Sequence, residues 1–158
     1  MANDANGALN AQVYSLVMIG SQSADGEPNG MTANWVTQVS FEPCVVAVAI
    51  QEGAHTRRNI EATGVFAVSL YQPASHDLAL KFTQRSTSGE RRLEGEPVSY
   101  HQTGAPVLNA AAAWYECHVI GRATPGDHVV FFGEVIGGDT NPGVAATTIA
   151  ETGMSYAD

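Results

Sequence analysis

At 158 residues the chain is long enough to bury one sizeable core, and 44% hydrophobic against 15% charged residues marks it as globular, not disordered. A formal net charge of −9 argues against a nucleic-acid partner, and no apolar run is long enough to span a bilayer. The first ten residues contain Asp4 and no Lys or Arg, so no secretory signal is visible; one cytoplasmic domain over residues 1–158, with no membrane association, is expected.

Residues 1–10 have the character of a frayed terminus. Val13 to Ile19 predicts a first strand and Ser21 to Gly30 a loop. Met31 to Phe41 predicts one strand of mixed polarity, with Trp35 and Thr37 on one face and Val36 on the other. After the Glu42-Pro43 turn, Cys44 to Ile50 is an unbroken apolar run and predicts a strand buried on both faces. Cys44 and Cys117 both lie in apolar stretches, so buried free thiols are expected over a disulfide.

Thr56 to Ala62 predicts a short helix, with Thr56 as N-cap and Gly64 as C-terminal stop. Its first turn carries Arg57 and Arg58, although the positive end of the helix dipole disfavours cations. A bound anion would remove the conflict; two arginines pointing into water would also be tolerated. Val65 to Tyr71 predicts a strand and Ser75 to Gln84 a helix with Leu78 and Phe82 on one face. Arg85 to Gln102 is polar and predicts a long loop. Leu108 to Ala113 fits helix or strand. Trp114 to Ile120 and His128 to Ile136 predict a hairpin around Pro125-Gly126-Asp127, and Thr147 to Ala150 a last strand. At least six strands, short helices and sixteen glycines point to a closed or nearly closed β-barrel.

Charge is unevenly placed. Six of the seven basic residues fall within 57–92 against three acids there, leaving +3; the rest of the chain carries −12. A positive island in an acidic chain suits a local phosphate or dinucleotide, and equally an ordinary solvated cluster.

No Gly-x-Ser-x-Gly elbow, P-loop or GxGxxG fingerprint is present. Apolar surroundings argue against either cysteine as a nucleophile. Glu116 with His118, and His128 with Glu134, share strand faces, but their spacing matches no strong metal motif, and no metal is expected. The stretch Thr32-Ala33-Asn34-Trp35-Val36-Thr37 and the turn before Thr56 gather hydroxyls, backbone N–H groups and one large aromatic.

The stretch Met31 to Cys44, MTANWVTQVSFEPC, resembles the flavin reductase-like family of FMN-binding split barrels; Asn34 and Cys44 depart from its usual Ser-like residue and second proline. Gly104-Ala105-Pro106-Val107-Leu108 with Trp114-Tyr115-Glu116-Cys117, and Gly126 to Val135, GDHVVFFGEV, are similar to two further family motifs, so the resemblance covers residues 12–136. It implies a mainly β, Greek-key-like split barrel with two or three short helices, a homodimer with flavin near the interface. It implies that Thr32, Asn34, Trp35, Val36 and Thr37 line the flavin ring and ribityl chain, and Gln51, His55 and Thr56 its phosphate. Lys81 and Phe82 are also implied, and His128 near flavin or nicotinamide; Arg57 is added from charge alone. The implied activity is hydride transfer from NADH or NADPH to FMN, with FAD as the alternative flavin. A monooxygenase would be one consumer. An FMN-bearing electron relay to a partner is the second reading: residues 81–95 are similar to the reductase domain appended to flavodiiron proteins, with Leu93 in place of an aromatic. A metal-binding barrel is the third.

Overall fold

The computed structural model describes residues 5–84, 88–89 and 92–152. A seven-stranded antiparallel sheet carries the fold: β1 (Val17–Gln22), β2 (Pro28–Ala33), β3 (Val36–Ser40), β4 (Val45–Gln51), β5 (Val65–Leu70), β10 (Ala113–Ala123) and β11 (His128–Thr140). Their order is β2-β1-β5-β10-β11-β4-β3. The two edge strands, β2 and β3, are consecutive in the chain and joined only by Asn34 and Trp35. The three Cα–Cα steps from Ala33 to Val36 span about 11 Å at most, so the sheet must roll until its edges come together at that point. No ladder between β2 and β3 closes the seam among the described residues, so the barrel is split there.

The barrel interior is filled by Val17 and Ile19, Val46, Val48 and Ile50, Phe66 and Val68, Cys117, and Val129 and Phe131. A second cluster lies outside β1, where Leu16, Met18, Tyr71, Phe82 and Leu93 pack beneath α3 (His76–Lys81) and a small sheet. That sheet is β6 (Ser88–Gly89), β7 (Arg92–Leu93), β8 (Glu96–Tyr100) and β9 (Pro106–Leu108). The helices α1 (Ala5–Asn10), α2 (His55–Thr63) and α4 (Ile149–Thr152) complete the described chain. Among the described residues no helix is long and apolar enough to cross a membrane.

Several sequence expectations change. The strands buried on both faces are β1 and β5, each with its first five residues buried, because both lie between the barrel interior and the elements packed outside it. In β4, Ala47 and Ala49 are half-exposed while Val46, Val48 and Ile50 point inward. Met31 to Phe41 is two strands, broken where the chain passes from one sheet edge to the other. Residues 5–10 are helical, not frayed, and the segment 92–102 holds β7 and β8 where a loop was expected. Arg85 and Arg91 lie outside the described residues. The tail adds one bridge, Ser15 to Thr148, and α4 in place of a strand. The hairpin is longer than expected and carries two bulges, one between Glu116 and Cys117.

Both thiols are free, but Cys44 is exposed and only Cys117 is buried. Burial, aided by the nearby Cys44, pushes the Cys117 thiol up to about 12. A thiol reagent at pH 8 should therefore modify one cysteine per native chain and two after denaturation, with peptide mapping placing the first label on Cys44.

Gly20 in β1 is required by close approach: a Cβ there would stand 1.9 Å from the Pro106 carbonyl oxygen of the crossing β9. Gly20→Ala should cost about 3 kcal/mol, read as a lower denaturation midpoint in urea.

Candidate functional site

His128 opens β11 directly opposite Gln51, the last residue of β4. The turn between β10 and β11 is tied to the next turn by the Glu52 N–H, which donates to the Asp127 carbonyl at 2.9 Å. The Trp35 carbonyl accepts the Ala49 N–H at 3.0 Å, which fixes the seam residue against β4. These backbone ties bring the Trp35 and His128 rings together, with centroids 4.8 Å apart and planes at 45°. His128 Nδ1 lies 2.7 Å from Asp127 Oδ1. That hydrogen bond, with the neighbouring imidazole, holds the Asp127 carboxyl below the ordinary carboxylate range. An imidazole so tied on Nδ1 presents Nε2 as its other hydrogen-bonding atom.

Beside this pair runs an open groove of about 650 Å³. Its floor is Ala47, Ala49 and Val130; Trp35, Val36 and Thr37 form one wall, and residues 12–15 the other. The alternation of β4 builds the floor: the two successive outward positions at its middle, 47 and 49, are alanines, so the outer face there stays low and flat. A second hollow of about 440 Å³ shares Ser15, Val36 and Thr37 and extends toward Cys44 and Tyr115.

The structure gathers some of the expected residues and disperses others. Trp35, Val36 and Thr37 line the groove, with His128 and Gln51 at its rim. His55 begins α2 just beyond the Glu52-Gly53 turn. Thr32 is not in the groove: its N–H donates to the Phe82 carbonyl, and its Oγ1 donates to Ala79 O at 2.7 Å and lies 2.9 Å from the Tyr71 hydroxyl. Phe82 is wholly buried in the second cluster, and Lys81 is exposed and ion-paired with Glu96. Asn34 is buried at the seam.

Thr56 is not the cap of α2. Ala54 holds that position and offers no side-chain bond. Thr56 faces inward, 1% exposed, and its Oγ1 accepts from Asn29 Nδ2 at 2.9 Å. Asn59, one turn on, donates to Ser21 Oγ at 3.2 Å. This buried amide–hydroxyl network pins one face of α2 to β1 and β2. Gly64 ends α2 in the left-handed conformation, as expected. Arg57 is paired with Glu61 and donates to the Glu52 carbonyl at 2.6 Å, so part of its fork is used within the protein.

Glu116, with no exposed surface, accepts from the N–H groups of Gln102 and Thr103 and from the Thr103 hydroxyl. That occupation makes it a structural clamp on the 101–104 loop. Among the described residues no three His, Cys, Asp or Glu side chains are gathered to hold a metal. Sequence reasoning missed the wall at residues 12–15, the alanine floor and the Asn29–Thr56 contact. Only the floor left a trace, in the alternating alanines of VVAVAI.

Residues 11–156 match the model of the flavin reductase like domain. The chain belongs to that family. It is 32% identical to the actinorhodin polyketide dimerase of Streptomyces coelicolor over 76% of this chain and 66% of that protein. It is 34% identical to an NADH-dependent FAD reductase of Streptomyces globisporus over 70% of this chain and 62% of that one. The solved Streptomyces globisporus NADH:FAD oxidoreductase in complex with NAD and FAD fragments superposes with a TM-score of 0.80 at 25% identity, covering 92% of this chain and 86% of that one. The chain spans 25% to 66% of the length of the first four curated relatives it matches.

The Asp127–His128 bond has a measurable signature. Its contribution to stability is present above the unfolded carboxylate value and is lost as pH falls through the lowered folded value. His128→Ala should raise the Asp127 pKa toward that of a free aspartate, followed by carbon-detected NMR titration of the side chain.

Proposed function

We propose that the protein is a flavin reductase, passing a hydride from NADH or NADPH to FMN or FAD held in the groove beside Trp35. The carrying observation is the Trp35–His128 pair at the rim of a groove with an alanine floor. The groove fits a flavin chemically: Ala47, Ala49 and Val130 offer a flat apolar wall, and Thr37 with the β3 backbone offers polar partners. The Streptomyces globisporus enzymes support the same reading by their named NADH and FAD chemistry.

The flavin, when bound, supplies the hydride-accepting chemistry. The chain's own work is binding, orientation and exclusion of water. Trp35, Val36 and Thr37 would hold the ring system. Gln51, His55 and the N–H groups of α2, whose cap residue has no side-chain bond, would meet the phosphate end. His128, fixed by Asp127, would orient the nicotinamide and need not move a proton.

The reading extends to a single domain over residues 1–158 and to a homodimer. Val39 and Phe41, 51% and 87% exposed, lie on the edge strand β3 and just past it, and exposed Trp35 immediately precedes the same strand. A second copy would cover that apolar face and the open side of the groove. Reduced flavin would serve a monooxygenase or an electron-transfer partner.

Anaerobic NADH or NADPH should bleach the absorbance of the flavin-loaded protein. His128→Ala should slow that reduction by roughly a hundredfold through misplaced nicotinamide, while flavin affinity stays within about threefold. Stopped-flow reduction set beside a flavin binding curve checks both. Reduction by dithionite but by neither nucleotide would replace the reductase with an electron relay.

A further inference from the structure

The barrel is plugged at one end and open at the other. Helix α2 joins the end of β4 to the start of β5, and its Ile60 packs into the interior cluster there. At the opposite end lie the starts of β1, β4 and β10 and the end of β5. The hollow of about 440 Å³ opens at that end. Its wall is a ring of side chains from six strands that pack against or belong to the interior cluster: Val17, Val36, Val46, Leu70, Tyr115 and Val135. Strand β4 thus serves two openings, with Ala47 and Ala49 under the groove and Val46 on the opposite face in the hollow.

Val36, Leu70, Tyr115 and Val135 are only half-buried, so apolar surface continuous with the core faces an opening. No Asp, Glu, Lys, Arg or His lines the hollow. Two of its polar side chains are engaged locally: Gln38 Nε2 donates to the Ser40 carbonyl at 3.0 Å, and Thr37 Oγ1 to the Gln38 carbonyl at 3.4 Å. The Tyr115 hydroxyl makes no hydrogen bond to another of the described residues. Burial pushes it above the ordinary tyrosine range, and the nearby Cys117 and Cys44 add to the rise, so it stays protonated and keeps its hydrogen to donate. A donor without a partner beside an apolar wall costs free energy that an acceptor oxygen recovers.

We propose that this open barrel end is a second ligand site, separate from the groove, that takes a neutral ketone of one or two rings, with its carbonyl oxygen accepting from the Tyr115 hydroxyl. The absence of a charged wall selects a neutral ligand, the aliphatic ring selects an apolar body, and the volume falls within the roughly 300–1,000 Å³ of small-molecule sites. The site stands whether or not the groove holds a flavin.

The test uses the full chain, with 1-tetralone as the probe and tetralin, which has the same rings and no oxygen, as its control. Methyl NMR titration should move the Val17, Val36, Leu70 and Val135 signals. The ketone should also slow modification of Cys44, which is exposed and lines the hollow, by a thiol reagent. The wild type should hold 1-tetralone more tightly than tetralin. Tyr115→Phe should weaken the ketone roughly 3- to 10-fold and leave tetralin within about twofold. Thermal melts check the fold of the variant, and the comparison of ketone with hydrocarbon on the wild type reads the hydroxyl without any substitution. Absence of ketone binding, shifts confined to other methyls, or equal ketone affinity in Tyr115→Phe overturns the site. Shifts of the hollow methyls that follow protein concentration and not the ketone would assign the opening to a second copy of the chain and overturn it as well.

Discussion

The two-residue link from β2 to β3 is the constraint on which the rest of the site depends. These are the outermost strands of a seven-stranded sheet, and a link of two residues holds its ends together. The roll that results encloses one apolar cluster and leaves a seam where Asn34 and Trp35 cross. The crossing residues cannot pair as ladder residues on both sides. Asn34 is buried beneath the link, and Trp35 stands 37% exposed above β4. A large aromatic held at a sheet opening, with its carbonyl tied to Ala49, makes a rigid wall for a ligand.

The barrel was legible in the sequence because strand periodicity and turn residues are local signals. The hairpin of β10 and β11 shows this. The inward and outward faces of His128, Val129, Val130 and Phe131 alternate as the residue pattern demands. Motif order added the family, and with it the expectation that Trp35 and His128 belong to one site. The break at Asn34 and Trp35 left no such signal, since MTANWVTQVSF contains no Gly or Pro and reads as a continuous strand. Only the global strand order reveals that the chain changes edge there. Residues 92–102 were misread for a related reason: their order comes from pairing with β9 and from Leu93 and Val98 packing in the second cluster, and their own composition is polar.

Individual side chains were harder to place than elements. Thr56 looked like a helix cap because a hydroxyl residue precedes a helical stretch. In the fold, α2 starts one residue earlier, and the Thr56 hydroxyl meets Asn29 from β2. Thr32 shows the same effect: a hydroxyl in a ligand-like motif is consumed by Ala79 and Tyr71. Sequence distance hides both partners. A buried hydroxyl has to find a bond inside the protein, so the polar residues of a motif divide between those that hold the scaffold and those left facing the groove.

That division explains how a small barrel keeps a site both open and rigid. The groove floor has few atoms to offer, because Ala47 and Ala49 are small and Val130 is half-buried. Its precision has to come from what lies behind it. The β4 backbone is held from one side by β11 and from the other by β3. The neighbouring α2 is held by Asn29, Ser21 and Asn59 through bonds that exclude water. At the rim, His128 is fixed in turn by Asp127. Each group that faces the groove is backed by a partner that does not, the arrangement that holds a ligand without spending binding energy on ordering the protein.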